Sequence, residues 1–272
     1  MLKQRLLTAL ILIPAVLFTL YYATAPILLC LVLGVLLLLG SEWSSLIPIR
    51  SSQWAYKTVS FECALLVLTG LCLQWFEIWL GVGLLMWIML AFFVLTYPRS
   101  QSMWAHRCIV ALWGAIALPL FVVSILMLYH RVPEGRALFI YLLFLVWAAD
   151  SGAYFAGKRF GRHRLIPQVS PGKTVEGLAG GFVLSLVVGV VGWFWFHPTK
   201  TLHWFLLVLG IVLISMLGDL FISMLKRRCQ LKDTGNLLPG HGGVLDRLDS
   251  LIAAVPWFYM GQYYWLHDAM VL

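Results

Sequence analysis

The stretch from Gly218 to Asp249, GDLFISMLKRRCQLKDTGNLLPGHGGVLDRLD, concentrates aspartates, basic residues, a histidine and a Gly-Gly pair in a chain that is otherwise apolar. Only 11% of the 272 residues are charged. A charged side chain at the centre of a membrane helix costs about 2.5–3.5 kcal/mol even on lenient insertion scales. A segment that keeps this many charges is therefore expected to carry out chemistry.

The acids of this stretch share helix faces with other polar residues. Asp219, Ser223 and Lys226 follow the spacing i, i+4 and i+7, which places them on one face of a helix. Asp246 and Asp249, at i and i+3, share a face at the start of the next helix. One acid at a helix start is explained by the helix dipole, which contributes about 0.3–1 kcal/mol. Three acids together favour a magnesium site, because Mg²⁺ is held by one or two carboxylates plus substrate phosphates.

Basic side chains and glycines surround these acids. The basic residues are of the type that holds phosphate oxygens, and they are Lys226, Arg227, Lys232 and Arg247. Gly240, Gly242 and Gly243 lack side chains, so their backbone N–H groups can approach an anion closely. Carboxylates for a metal beside cations for phosphate are typical of phosphoryl or nucleotidyl transfer, in which a protein mainly positions the reactants and neutralises charge.

Another acid is predicted at a similar depth on an earlier helix. Asp150 precedes Lys158 by eight residues, which places it about 12 Å below the helix end at 1.5 Å per residue. Asp219 precedes Lys226 by seven residues, or about 10 Å. Two carboxylates at similar depth on separate helices could line one pocket that opens to the cytoplasm. The alternative is that Asp150 is a buried acid neutralised by one arginine.

A third cluster, SPGKTVEG at 170–177, contains a Gly-Lys-Thr sequence that also occurs in nucleotide-binding P-loops. A P-loop has a glycine five residues before this sequence, where the chain has Pro167, and no strand is predicted before it. We therefore reject a P-loop. Lys173, at the start of a helix whose first N–H groups are free, still predicts an anion site.

The elements that position these residues are predicted to be membrane helices. Apolar residues make up 62% of the chain, which excludes an ordinary soluble domain. A helix needs about 20 apolar residues to cross a bilayer. Nine runs meet this length, at roughly 5–23, 26–47, 57–73, 75–97, 105–129, 137–157, 174–196, 202–225 and 248–266. The sequence therefore predicts an all-α polytopic integral membrane protein with about nine transmembrane helices.

The distribution of basic residues predicts the topology. With a cytoplasmic N-terminus, nine spans place all 19 Lys and Arg residues on the cytoplasmic side except Arg131, Arg136 and Lys200. The C-terminus then lies on the opposite side. Such loops beside an anionic leaflet account for most of the net charge of +8 without a nucleic-acid partner.

The chain is predicted to divide unevenly. Residues 1–135 form a scaffold of transmembrane helices, and residues 136–272 form a catalytic region with cytoplasmic loops at 158–173 and 226–247. Acids inside a membrane protein also point to an ion-coupled transporter, which stays an alternative. No two halves match, which weakens a transporter built from inverted repeats. A short chain without a transit peptide favours a bacterial inner membrane.

These residues resemble the phosphatidate cytidylyltransferase (CDP-diacylglycerol synthase) family. The resemblance is carried by Ser223, Lys226, Arg227, Lys232, Asp233, Gly235, Pro239, His241, Gly242, Gly243, Asp246, Arg247 and Asp249. The upstream sequences DSGAY, SPGKT and GDL also resemble those of the family. The N-terminal half agrees with it only in hydropathy and in the number of spans.

The resemblance implies that CTP and phosphatidate (phosphatidic acid) react to give CDP-diacylglycerol and pyrophosphate. It implies a divalent ion, Mg²⁺ or Mn²⁺, organised by Asp219, Asp246 and Asp249, with Asp150 as a fourth acid. Whether a monovalent cation also binds beside the divalent ion stays open. Lys226, Arg227 and His241 complete the predicted catalytic set. The residues predicted to bind or orient substrate phosphates are Ser170, Lys173, Ser223, Lys232, Arg247, Gly242 and Gly243.

The predicted nucleophile is the phosphate of phosphatidate, which is already anionic near neutral pH, so no strong general base is required. CTP is soluble and phosphatidate lies in the bilayer, so the site is expected to face the cytoplasm. The oligomeric state, a homodimer included, stays open. A CTP-dependent lipid kinase of related fold is the remaining alternative, and it would transfer the γ-phosphoryl group instead.

Overall fold

The computed structural model of the chain describes residues 14, 16–47, 54–235, 237 and 242–266. Most of the predicted span at 5–23 and the predicted site residue His241 lie outside these residues. In chain order the elements are α1 (Ala25–Leu46), α2 (Trp54–Gln74), α3 (Phe76–Leu95), α4 (Gln101–Trp104), α5 (Arg107–Arg131), α6 (Gly135–Phe160), β1 (Arg164–Ile166), β2 (Ser170–Thr174), α7 (Val175–Phe196), α8 (Thr201–Arg228), α9 (Leu245–Met260) and a π-helical turn (Gly261–Leu266). Residues 16–22 are also helical.

Six helices in the described part of the chain are long and apolar enough to cross a membrane, namely α1, α3, α5, α6, α7 and α8. Their bounds lie within three residues of six predicted apolar runs. The helix α2 is apolar over Thr58–Gln74, and α9 has 16 residues. The chain is thus an all-α polytopic membrane protein, while the count of nine spans and the side of each terminus stay predictions.

The predicted cytoplasmic loop at 158–173 contains a hairpin. Strands β1 and β2 pair in antiparallel fashion, with Arg164 opposite Thr174. The prediction that no strand precedes the Gly-Lys-Thr sequence was wrong, because β1 precedes it and Lys173 itself lies in β2. The side chain of Thr174 accepts a hydrogen bond from the Gly177 N–H at 3.0 Å and caps α7. The hairpin is therefore joined directly to a helix start, which fixes the lysine in space.

Glycines let the helices of the C-terminal region approach closely. A Cβ atom on Gly152 of α6 would collide with the carbonyl oxygen of Gly180 on α7. Small residues at such positions let the backbones of α6 and α7 pack closely. A Cβ on Gly218 of α8 would collide with the carbonyl oxygen of Asp249 on α9. These approaches join α6 to α7 beside Asp150, and α8 to α9 beside Asp219 and Asp249.

An aromatic cluster packs the N-terminal helices against α8. Phe221 of α8 meets Trp87 of α3 and Trp113 of α5 edge-on, with ring centroids 5.7 Å and 5.4 Å away. Trp43 of α1 lies 6.1 Å from the same ring, and all four side chains are buried. Phe221 follows Asp219 by two residues, about 200° around the helix. The scaffold therefore covers one side of α8 and leaves the acid on another.

Candidate active site

The hairpin and α8 form the first ion pair of the site. Lys173 places Nζ 2.6 Å from Oδ2 of Asp219, and about a quarter of each side chain is exposed (25% and 29%). On the same helix face, Oγ of Ser223 donates to Oδ1 of Asp219 at 3.3 Å. The shared face that the spacing predicted is confirmed, and the structure adds the lysine as a partner from a different element.

A second ion pair joins the end of α8 to the start of α9. Nζ of Lys226 lies 2.6 Å from Oδ1 of Asp246, and the two side chains are 14% and 6% exposed. This pair is more buried than the first. Removing one partner would leave the other charge buried without compensation, which is strongly unfavourable.

The other carboxylate oxygen of Asp246 organises the loop before α9. Its Oδ2 accepts hydrogen bonds from the Thr234 N–H at 2.8 Å, the Thr234 hydroxyl at 3.1 Å and the Gly243 N–H at 3.2 Å. Burial favours the neutral acid, but the hydrogen bonds from Lys226 and Thr234 outweigh it and lower the pKa of Asp246 below its ordinary value. Asp246 is therefore ionised at neutral pH.

Glu42 of α1 belongs to the same network and was not predicted. Its buried carboxylate accepts hydrogen bonds from the N–H groups of Val244 at 2.9 Å and Leu245 at 2.7 Å, and from the Thr234 hydroxyl at 3.1 Å. Glu42 therefore caps the start of α9 from another helix. The signal that could have identified it is an acid four residues before the end of an apolar helix, where charge is costly.

Two glycines of the loop before α9, Gly235 and Gly243, make room for the side chain of Glu42. A Cβ on Gly235 would collide with Oε1 of this carboxylate, and a Cβ on Gly243 would collide with Oε2. Between them, Gly242 has a φ of +82°, which L-amino acids with side chains rarely adopt. A side chain at Gly235 or Gly243 would therefore displace the Glu42 carboxylate, and one at Gly242 would strain the loop.

One cavity of about 640 Å³ lies between α6, α7, α8, α9 and the hairpin. Its described wall includes the predicted site residues Asp150, Lys173, Asp219, Asp246, Arg247 and Asp249. Asp150 and Asp219 lie ten and nine residues before the ends of their helices, so both are about 14–15 Å from those ends. Among the described residues Asp150 forms no ion pair with an arginine; it lines the cavity beside the other acids. The structure thus brings together acids from three helices and one lysine from the hairpin.

The remaining predicted residues that the structure describes do not line the described wall of this cavity. These residues are Ser170, Ser223, Lys226, Arg227, Lys232, Gly242 and Gly243. Arg227 is exposed, and its Nε donates to the carbonyl oxygen of Val169 at 3.1 Å. Lys232 is exposed in the loop after α8.

The acids of the cavity suit a divalent cation. Within the described ranges, no three His, Cys, Asp or Glu side chains form a metal cluster by themselves. Mg²⁺ needs only one or two carboxylates and takes other ligands from water and substrate phosphates. Asp219 and Asp249 line the same cavity. Asp249 is buried and accepts the Ser250 N–H at 2.7 Å, and a buried carboxylate needs a compensating charge that such a cation supplies.

Known proteins similar to this chain share one activity in their names. A model of the Cytidylyltransferase family matches residues 3–265. A phosphatidate cytidylyltransferase from Haemophilus influenzae is 38% identical over 283 residues, covering 95% of this chain and 97% of that protein. One from Pseudomonas aeruginosa is 38% identical over 266 residues, with 95% and 96% covered. One from Bacillus subtilis is 44% identical over 126 residues, with 46% and 47% covered.

Proposed function

The chain belongs to the cytidylyltransferase family, and we propose that it joins CTP to phosphatidate, giving CDP-diacylglycerol and pyrophosphate. Relatives named phosphatidate cytidylyltransferase, aligned over 95% of the chain, support this substrate pair. The observation that carries the proposal is the cavity in which acids from three helices meet Lys173. Metal-binding acids beside phosphate-binding cations are what nucleotidyl transfer requires.

Asp219 and Asp249 are the proposed ligands of Mg²⁺ or Mn²⁺, with Asp150 as a third acid in the same cavity. When bound, the cation would offset negative charge on the CTP phosphates and on the departing pyrophosphate. Asp246 already accepts four hydrogen bonds, from Lys226, Thr234 and Gly243. Its proposed part in the metal site is to hold the start of α9, and with it Asp249, in place.

The cations of the cavity are proposed to bind the substrate phosphates. Lys173 and Arg247 line it and carry the charge that an anion requires. Lys226 acts through its ion pair with Asp246. Arg227 and His241 are proposed to take part in catalysis. The residues proposed to bind or orient the substrate phosphates are Ser170, Ser223, Lys232, Gly242 and Gly243.

The phosphate of phosphatidate is the proposed nucleophile. It is an anion at neutral pH, because the second pKa of a phosphate monoester is about 6, so its attack needs no general base from the chain. A bond forms between a lipid phosphate oxygen and the α-phosphorus of CTP. The bond from that phosphorus to the bridging oxygen of the β-phosphate breaks, and pyrophosphate leaves. The side chains of the cavity position the two anions and offset their mutual repulsion.

We further propose nine transmembrane helices in a bacterial inner membrane, with the N-terminus and the site on the cytoplasmic side. The asymmetry of Lys and Arg along the chain supports this orientation. Bacterial relatives support the choice of membrane. The proposal leaves the choice between a monomer and a homodimer open.

Radiolabelled CTP distinguishes cytidylyl transfer from phosphoryl transfer. With purified protein, phosphatidate and Mg²⁺, we expect label on the α-phosphate to enter the lipid fraction and label on the γ-phosphate to leave in pyrophosphate. Entry of the γ-label into lipid would instead identify a CTP-dependent lipid kinase. Diacylglycerol in place of phosphatidate is the control, because it lacks the attacking phosphate.

Lys173→Met removes the ammonium group of the cavity and keeps most of the side-chain volume. We expect kcat/KM for CTP to fall about 10- to 100-fold, because a hydrogen bond to a charged group contributes about 1.5–3 kcal/mol. Lys158→Met is the matched control, since this lysine is exposed at the end of α6 and does not line the described cavity wall. Wild-type kinetics in Lys173→Met would exclude this lysine from phosphate binding.

A further inference from the structure

A second cavity, of about 430 Å³, lies next to the cavity of about 640 Å³ that contains Asp219, which we call the polar cavity. The described residues that line the second cavity are all apolar. Its walls come from α3, α8, α9, the π-helical turn and β1. We call it the apolar groove, and the residues that matter for its function are Leu165, Leu206, Gly210, Met216 and Leu220. None of the chemistry described above uses it.

The apolar groove meets the polar cavity at two side chains. Leu165 of β1 and Met216 of α8 line both spaces. Met216 lies three residues, less than one helical turn, from Asp219. A molecule with an anionic head and an apolar tail could therefore place its head beside Asp219 and its tail beyond Met216.

The apolar groove is long enough for most of one acyl chain. Beyond Met216 its lining along α8 extends to Leu206, ten residues or about 15 Å of helix axis. Each C–C bond of about 1.5 Å advances an extended chain by about 1.3 Å, so this length holds about twelve carbons. The groove offers these carbons no charged side chain.

We propose that the apolar groove binds one acyl chain of the lipid substrate and that Gly210 limits the length of chain it accepts. This inference rests on the proposed function, which supplies a phosphatidate whose phosphate lies in the polar cavity. Inside a bilayer, an acyl chain gains no hydrophobic free energy by exchanging lipid neighbours for apolar side chains. The groove therefore selects a chain by shape, and a side chain that shortens the groove changes the selection.

Gly210 lies nine residues before Asp219 on α8, about 13 Å along the helix. It is exposed, and a Cβ atom there would meet nothing within 4 Å. A larger side chain would therefore occupy the groove without displacing protein atoms. Leucine also has a higher helix propensity than glycine, so α8 is expected to form normally. Gly210 also lies six residues, about 9 Å, beyond Met216, where the tail enters the groove. A six-carbon chain, roughly 6 Å long, ends before this position, and a sixteen-carbon chain passes it.

Gly210→Leu tests the inference with dihexanoyl and dipalmitoyl phosphatidate in the same detergent micelles. We expect kcat/KM for the dipalmitoyl lipid to fall about tenfold or more, because bound chain and new side chain would overlap. The value for the dihexanoyl lipid should stay within about twofold of wild type, since its chains end short of the substitution. Gly210→Ala should show a smaller change of the same kind. Gly81→Leu on α3 is the control, because a Cβ there also meets nothing within 4 Å and the residue does not line the groove.

A ratio of long-chain to short-chain activity that stays at the wild-type value in both Gly210 variants would overturn the proposal and assign the groove to bulk lipid. If Gly210→Leu has no activity with either lipid, the ratio of long-chain to short-chain activity in Gly210→Ala tests the proposal. A ratio below the wild-type value supports it, and the wild-type value overturns it. Failure of the proposed function gives a different result, because the wild-type protein would then transfer no α-label to either phosphatidate.

Discussion

Asp246→Asn is expected to lower Tm, because breaking one side of a buried ion pair costs about 3–5 kcal/mol of stability, and to lower kcat by about 100-fold or more, because that ion pair holds the start of α9. The wild-type side chain is 6% exposed and pairs with Lys226. Its second oxygen accepts the N–H groups of Thr234 and Gly243. An amide has only one oxygen, so its NH₂ group must face either the ammonium or these N–H donors. The start of α9, which carries Asp249, would then lose its position.

Transfer of α-label from CTP to lipid measures this effect. Glu134→Gln is the control, because it makes the same chemical change at an exposed position before α6. The double variant Asp246→Asn with Lys226→Met is expected to transfer α-label at nearly the same rate as Asp246→Asn alone, since both changes break the same ion pair. Full activity of Asp246→Asn would show that neither the ion pair nor the loop that it holds is needed for the reaction.

The pH dependence of the same variant tests the ionisation of Asp246. Its folded pKa lies below the ordinary value of about 3.9, so its ionised form stabilises the fold fully above about pH 4. This stabilisation is lost as the pH falls through the folded pKa. The difference in Tm between wild type and Asp246→Asn should therefore be constant from about pH 8 to 5 and shrink below about pH 4. A difference that shrinks near neutral pH would contradict the lowered pKa.

Glu42→Ala is expected to cause the largest loss among variants of the N-terminal half. The change leaves the N–H groups of Val244 and Leu245 without their acceptor, while the hydroxyl of Thr234 keeps only Asp246 as an acceptor. Each buried donor left unpaired costs about 1–3 kcal/mol, so we expect a clear drop in Tm and at least about a tenfold loss of kcat. The Tm and kcat of Glu42→Gln, which keeps one acceptor oxygen, should lie between those of Glu42→Ala and wild type.

Thermal unfolding in detergent and the α-label assay together test the role of Glu42. Glu62→Gln serves as the control, since it changes an acid of α2 in the same half of the chain. We expect kcat of Glu42→Gln to fall while its KM for CTP changes little, because the residue contacts the loop and lines no described part of the cavity. A Glu42→Ala protein with wild-type Tm and kcat would refute the capping of α9 from α1.

The helices were predictable because each one satisfies its own backbone hydrogen bonds, so a local run of apolar residues is sufficient to identify it. The same holds for Asp219 and Ser223, whose shared face follows from helix geometry alone. The glycine contacts of α7 were also local features of the sequence. These parts of the site depend on residues close together in the chain.

The pairings between elements were not predictable in the same way. Lipid tails are as apolar as the helices, so hydropathy does not determine which helices are neighbours. Lys173 with Asp219, and Glu42 with Leu245, are separated by 46 and 203 residues. The hairpin was missed because β1 has only three residues, too few for a periodic pattern to identify it.

Glu42 also sets an order of events during synthesis. Its backbone partners lie 202 and 203 residues further along the chain, so roughly 10–40 s of translation separate them at about 5–20 residues per second. Until then the carboxylate, about 6 Å from the end of α1, lacks these partners. When α9 arrives, one set of hydrogen bonds buries this early acid and positions Asp249. The N-terminal half and the site are therefore completed in the same late step.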